Sequence, residues 1–205
     1  MRKVVIVDYG MGNLHSVFRK FRRIGADPRV SSDPGEVPRA ELLVVPGVGH
    51  FGKAMENLKQ RELIAPLNEA VLGRQTPVLG ICLGMQLFAR RSEEGDVEGL
   101  GWLDAQVVRF KVQDPLRHKV PQMGWNGARQ AKPSRWLQPM PPDASFYFMH
   151  SYHFVCADDR DVLLETEYVY RFASGVERGN IVGVQFHPEK SHGCGERMLC
   201  AFLAS

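Results

Sequence analysis

The sequence is short of cysteine, with four in 205 residues at Cys82, Cys156, Cys194 and Cys200, and none at CxxC spacing. Neither a disulfide framework nor a zinc ribbon is expected, and reduced thiols in a cytoplasmic setting are. His192, Cys194 and Cys200 have no fourth ligand at finger-like spacing, so no metal is expected. Long apolar runs are also missing. Val4-Val5-Ile6-Val7 is cut by Asp8 too early for a signal-peptide core. No stretch approaches the roughly 18 residues of a membrane span, so no membrane partner is expected. A one-signed charge excess is absent: 26 basic residues stand against 23 acidic ones, for a net charge of +3. The basic residues are scattered, which argues against nucleic acid. The one short run, Arg19 to Arg23, falls in a helical pattern and reads as a solvated face, with docking to an acidic partner as the second reading. There are no repeats, no P-loop and no GxGxxG between a strand and a helix, so no cofactor is expected.

Composition is otherwise ordinary for a globular chain, 44% apolar and 24% charged. The length suits one α/β domain covering residues 1–205. Val4–Val7, Leu42–Val45 and Val78–Ile81 read as buried strands. Between them lie helical patterns: one from Asn13 as cap through Leu14, Val17, Phe18, Phe21 and Ile24 to Gly25, another running to Leu72 and broken near Pro66. A further helix is expected to start over Gly84–Ala89. This alternation predicts an open, mostly parallel, doubly wound sheet of flavodoxin-like type. The second half is β-rich, with short strands at Gln106–Phe110, Phe146–Phe148, Tyr152–Val155, Val162–Glu167 and Ile181–Gln185. Pro133–Asp143 reads as a proline-rich loop, and Glu196–Leu203 as a closing helix with Leu199 and Leu203 on one face.

The most informative stretch is Gly80-Ile81-Cys82-Leu83-Gly84, where a buried strand turns into a helix. It is a G-x-nucleophile-x-G elbow with cysteine in the nucleophile position. Such a turn needs glycines because backbones must approach closely. It exposes the sulfur at a helix N-terminus, where N–H groups favour the reactive thiolate. The Leu83 N–H then faces a developing oxyanion. The competing reading is a buried core cysteine, which the paired glycines and the strand–helix context oppose. A second strand, Ile181 to Phe186, ends in His187-Pro188-Glu189. Residues two apart in extended chain point the same way, so His187 and Glu189 can face one site, with Glu189 orienting the imidazole and His187 deprotonating Cys82. Alone, that tripeptide would pass as a surface turn.

With both segments in hand, the sequence resembles the class I, triad-type glutamine amidotransferases. Gly80-Ile81-Cys82-Leu83-Gly84-Met85-Gln86 and Gln185-Phe186-His187-Pro188-Glu189 match that family's two signatures in order and context. The resemblance implies Cys82 as nucleophile, His187 as base, Glu189 as its partner, and contacts to L-glutamine from Gly47, Gly52, Gln86, Ser151 and Tyr152. Asp8 to Leu14, Pro46 to Gly52, Met123-Gly124-Trp125-Asn126 and His187 to Ser191 together resemble one branch, the glutaminase subunits of imidazole glycerol phosphate synthase in histidine biosynthesis. That branch implies a heterodimer with a (β/α)₈-barrel synthase subunit. Ammonia crosses the barrel to a phosphoribosyl-formimino aminoimidazole carboxamide ribonucleotide, giving imidazole glycerol phosphate and AICAR. Trp125, Tyr147 and Lys190 are candidates for the docking face. Three alternatives stand beside this: the glutaminase subunit of another synthase, such as a pyridoxal phosphate or anthranilate-type one; a cysteine peptidase or hydrolase of similar fold; and a regulatory module without activity.

Where many members of the family carry Gly-Gly-Pro, this chain reads Pro46-Gly47-Val48-Gly49. A second oxyanion donor is expected from the Val48 N–H. Aiming it inward rotates the Gly47–Val48 peptide, so the loop is expected to have two states. A tight turn after a strand is the plainer reading.

Overall fold

The structure is a computed structural model that describes residues 1–114, 116–137, 141 and 143–204. The first half contains β1 (Lys3–Val7), α1 (Leu14–Arg23), β2 (Asp27–Ser31), β3 (Leu42–Gly47), α2 (Phe51–Gln60), α3 (Ile64–Asn68), β4 (Val78–Cys82), α4 (Leu83–Gln86), β5 (Arg91–Ser92) and β6 (Val97–Glu98). The second contains β7 (Ala105–Arg109), β8 (Gln122–Gly127), β9 (Arg129–Gln130), β10 (Ser145–His150), β11 (Tyr152–Cys156), β12 (Val162–Glu167), β13 (Arg171–Arg178), β14 (Ile181–Val184) and α5 (His192–Ala204). Among the described residues the main sheet runs β2-β1-β3-β4-β14-β13-β11-β7-β5-β6, with β12 and β9 branching from β13. From β2 to β14 every pairing is parallel; beyond β14 antiparallel pairs dominate. The order reverses at β1, whose neighbours are β2 on one side and β3 on the other, as expected of a doubly wound sheet.

Strand alternation sorts the core onto the sheet's two faces. Val5, Val7, Leu43 and Val45 pack with Phe51, Leu58 and Leu67 of α2 and α3. Val4, Ile6, Leu42 and Val44 pack with Val17 and Phe21 of α1 and Leu199 and Phe202 of α5. The antiparallel pair β8–β10 adds Phe146 and Phe148 to this second layer.

Several boundaries differ from the sequence reading. The long second helix breaks at Arg61–Leu63, where Glu62 takes a positive φ of 57°, rather than at Pro66. Pro66 instead lies in the first turn of α3, where a missing N–H leaves no bond unmade. The elbow helix is one turn long, because the Leu87, Phe88 and Ala89 carbonyls accept from the amides of Leu100, Leu103 and Gly101. Strands β2, β8 and β13 carry proline, glycine or polar residues that mask their period. α5 begins at His192, earlier than expected. Within Pro133–Asp143, residues 138–140 and 142 lie outside the described residues, whereas Trp136 is buried and donates from Nε1 to the Gly179 carbonyl at 3.2 Å. Nor is Arg19 to Arg23 simply solvated: Lys20 is buried and pairs with Glu196 of α5 at 3.2 Å, and the exposed Arg23 pairs with the same carboxylate.

Candidate active site

Parallel sheets place their sites at the C-terminal strand ends. Here Cys82 ends β4, Pro46 and Gly47 end β3 and lead into Val48-Gly49, and His187 follows β14, the three strands lying side by side with β4 in the middle. Register sets Gly47 directly opposite Cys82. Cys82 has φ 54° and ψ −111°, a conformation that costs a side-chain-bearing residue about 1–3 kcal/mol. The elbow tolerates no side chain at its glycines. A Cβ at Gly84 would lie 1.7 Å from the Val45 carbonyl oxygen, and one at Gly80 would lie 2.7 Å from the Met85 backbone. At Gly47 it would meet the Tyr9 hydroxyl at 2.3 Å.

His187 accepts its place from three bonds. Its N–H donates to the Tyr147 carbonyl at 2.9 Å. The buried Ser191 hydroxyl donates to the His187 carbonyl at 2.6 Å and accepts from the Tyr147 N–H at 3.0 Å. The His-Pro-Glu turn is thus laced to β10. In the ring, Nδ1 lies 2.9 Å from Glu189 Oε1, and both side chains are almost wholly buried. Nε2 has no hydrogen-bond partner among the described residues and is the nitrogen left for the Cys82 sulfur. Burial pushes the imidazole down, but the adjacent Cys82 sulfur and the Glu189 carboxylate outweigh it and lift the ring to about 10. The Cys82 thiol lies 3.8 Å from the Met149 carbonyl and accepts an N–H from Gln185 at 3.6 Å.

Beside the sulfur lies a cavity of about 250 Å³ lined in part by Val48, Leu83, Gln86, Ser151 and Tyr152, all singled out in the sequence. Gly47 and Gly52 do not line it. Gly47 lies against Tyr9 and Leu83, and Gly52 lies in α2 beside His50. The lining also includes Glu94, Met123 and Met149, which sequence reasoning missed. Glu94 is the one acidic group in that lining and accepts the Phe51 N–H at 2.8 Å. No sequence signal marks it, because it sits in a short polar turn far from either signature.

His150, also in the lining, is pushed down to about 3, first by burial, and is neutral at physiological pH. The Tyr152 carbonyl, 2.7 Å from its Nδ1, can only accept, so Nδ1 carries the proton. The three candidate docking residues come together. Trp125 is half-exposed and meets the Tyr147 ring edge-on at 6.2 Å, and Lys190 Nζ lies 5.5 Å from the same ring. His192 stacks on Trp125 at 5.0 Å.

Among the described residues, no helix is long and apolar enough to cross a membrane. Residues 5–204 match the family model of class-I glutamine amidotransferases. The chain is 42% identical over 200 residues to imidazole glycerol phosphate synthase subunit HisH 2 of Methanococcus maripaludis, covering 98% of each chain. To subunit HisH of Moorella thermoacetica it is 46% identical over 203 residues, covering 98% of this chain and 94% of the relative. Solved structures show the same fold at low identity. One is a chain from the structure of PurLQS from Thermotoga maritima, with a TM-score of 0.74 and 20% identity, covering 100% of this chain and 99% of that one. Another is a glutamine amidotransferase from the same organism, with a TM-score of 0.66 and 18% identity, covering 98% and 96%. The chain therefore belongs to the class-I glutamine amidotransferase family, among the HisH subunits of imidazole glycerol phosphate synthase.

Proposed function

We propose that Cys82, His187 and Glu189 are the triad through which this amidotransferase hydrolyses the side-chain amide of L-glutamine. The observation that carries the reading is the His187 ring, tied to Glu189 through Nδ1 with its Nε2 left to the elbow cysteine. At neutral pH the proton already sits on His187, whose ring is lifted to about 10, and the sulfur attacks the carboxamide carbon. The resulting oxyanion meets the N–H of Leu83 and, in the loop state that turns it inward, that of Val48. His187 returns the proton to the amide nitrogen, ammonia leaves, and a γ-glutamyl thioester remains. His187 then takes a proton from water, whose oxygen displaces the sulfur and frees glutamate. Glu94 supplies the charge that matches the substrate's ammonium group, while Gln86, Ser151 and Tyr152 shape the cavity around its chain.

The ammonia goes to a partner, a (β/α)₈-barrel synthase subunit that makes imidazole glycerol phosphate and AICAR in the cytoplasm. Its docking face is the cluster of Trp125, Tyr147 and Lys190. Met123 supports this placement, being exposed next to that cluster while also lining the cavity, so a subunit seated there covers the site's mouth. The test is Cys82→Ala in the complex with the barrel. Glutamine-dependent synthesis should vanish and ammonia-dependent synthesis persist; loss of both in a folded complex would sink the assignment.

A further inference from the structure

Gln185 belongs to the second signature, yet the triad gives it no task. It is completely buried, and its N–H donates to the Ser174 carbonyl at 2.9 Å, which continues the line of β14. Its carboxamide sits between two groups. Oε1 accepts from Gln86 Nε2 at 3.0 Å, and Nε2 donates to Cys82 Sγ at 3.6 Å.

The direction of this amide is fixed by chemistry. Gln86 Nε2 also donates to the Tyr152 carbonyl at 3.0 Å, and a carbonyl can only accept. The Gln86 amino group must therefore face Tyr152 and, being the same atom, must face Gln185. Gln185 has to answer with its oxygen, which leaves its amino group to the sulfur. Flipping either amide would set two acceptors or two donors against each other.

We propose that Gln185 is a further catalytic residue, which holds an N–H on the reacting sulfur in an orientation set by the Tyr152 carbonyl through Gln86. The inference rests on Cys82 being the nucleophile. A hydrogen bond to a neutral thiol is weak, and it strengthens once the sulfur is ionised. The Met149 carbonyl near the same sulfur presents only lone pairs, so it opposes the thiolate. Gln185 offsets that. It favours the anion before attack, and again when sulfur leaves the glutamyl thioester during hydrolysis. Because Tyr152 and Gln86 line the cavity, the relay also joins the substrate site to the sulfur. A merely structural role would need only volume and an acceptor for Gln86; a methionine supplies the first and a glutamate both.

The test is the pH dependence of Cys82 alkylation by iodoacetamide in the full chain, read by mass spectrometry of the Cys82 peptide so that the other three cysteines do not interfere. Glutaminase kcat and KM are measured in the complex alongside. Gln185→Met should move the alkylation midpoint up by about one pH unit, slow alkylation at neutral pH about tenfold, and lower kcat with KM little changed. Gln185→Glu keeps the acceptor for Gln86 but sets a carboxylate against the sulfur, and should lose more. If the methionine variant does not fold, the glutamate variant decides by the same readouts. A wild-type alkylation profile and kcat in either folded variant overturn the inference. Should Cys82→Ala still release ammonia, the triad reading fails instead; Cys82→Ala inactive beside a wild-type Gln185 variant leaves that reading intact.

Discussion

The Tyr9 hydroxyl donates a 2.6 Å hydrogen bond to the Pro46 carbonyl and so holds the peptide that enters the 46–49 loop. Burial first, and the nearby Cys82 second, push the Tyr9 hydroxyl far above its ordinary pKa, so it remains a donor at any working pH. Tyr9→Phe strips a buried carbonyl of its partner and should cost about 1–3 kcal/mol in urea unfolding. Unchanged stability would mean that the bond is not made in solution.

With Pro46 held, rotation of the loop falls on the Gly47–Val48 peptide. Glycine accepts the new torsion, while β-branched Val48 resists unusual φ, so one loop state should be strained by about 1–3 kcal/mol. A missing oxyanion donor typically costs about 10²–10³ in rate. Glutaminase rate in the complex should therefore rise steeply when nucleotide binds the barrel and favours the other state. A rate already maximal without nucleotide would rule out the gate.

The triad members should differ in weight. His187→Ala removes the base and should cost more rate than Glu189→Gln, which only loosens its orientation. If both residues merely form a turn, the same variants lower the melting temperature and spare the rate. Measuring both quantities on each variant separates the two roles.

Stability should also report the His187 proton. The ring titrates near 10 in the folded chain against an ordinary value of 6.5, so the folded state binds the proton more tightly. The stabilisation is complete below about pH 6.5 and is lost as pH rises through about 10. Unfolding free energy should fall across that window, and His187→Gln should flatten the slope. An unchanged slope in the variant would place the titration elsewhere.

Lys190 follows the triad turn directly and lies over Tyr147, whose backbone braces His187. Lys190→Ala should weaken binding of the barrel subunit and uncouple glutamine hydrolysis from synthesis. Calorimetric titration and the ratio of glutamate to product check this. Unchanged affinity and coupling would remove Lys190 from the docking face.

The elbow glycines, the buried parallel strands and the His-Pro-Glu turn were legible in the sequence because local sterics dictate them. Gly84 admits no side chain beneath Val45, and the apolar runs of β1, β3 and β4 suit only strands covered on both faces. Other features depended on distant partners. Pro66 looked like a break until α3 placed it in a first turn, and the elbow helix looked long until residues 100–103 took its carbonyls. Glu94 left no local mark, and although Tyr9, Gln86 and Gln185 stand in recognisable motifs, their contacts did not show, since each meets a group tens of residues away. The sequence by itself determined which residues could carry thiol chemistry, through spacing and backbone geometry. Only the tertiary structure decided which neighbours surround the sulfur, because hydrogen-bond direction and burial are set by strands that meet across the whole chain.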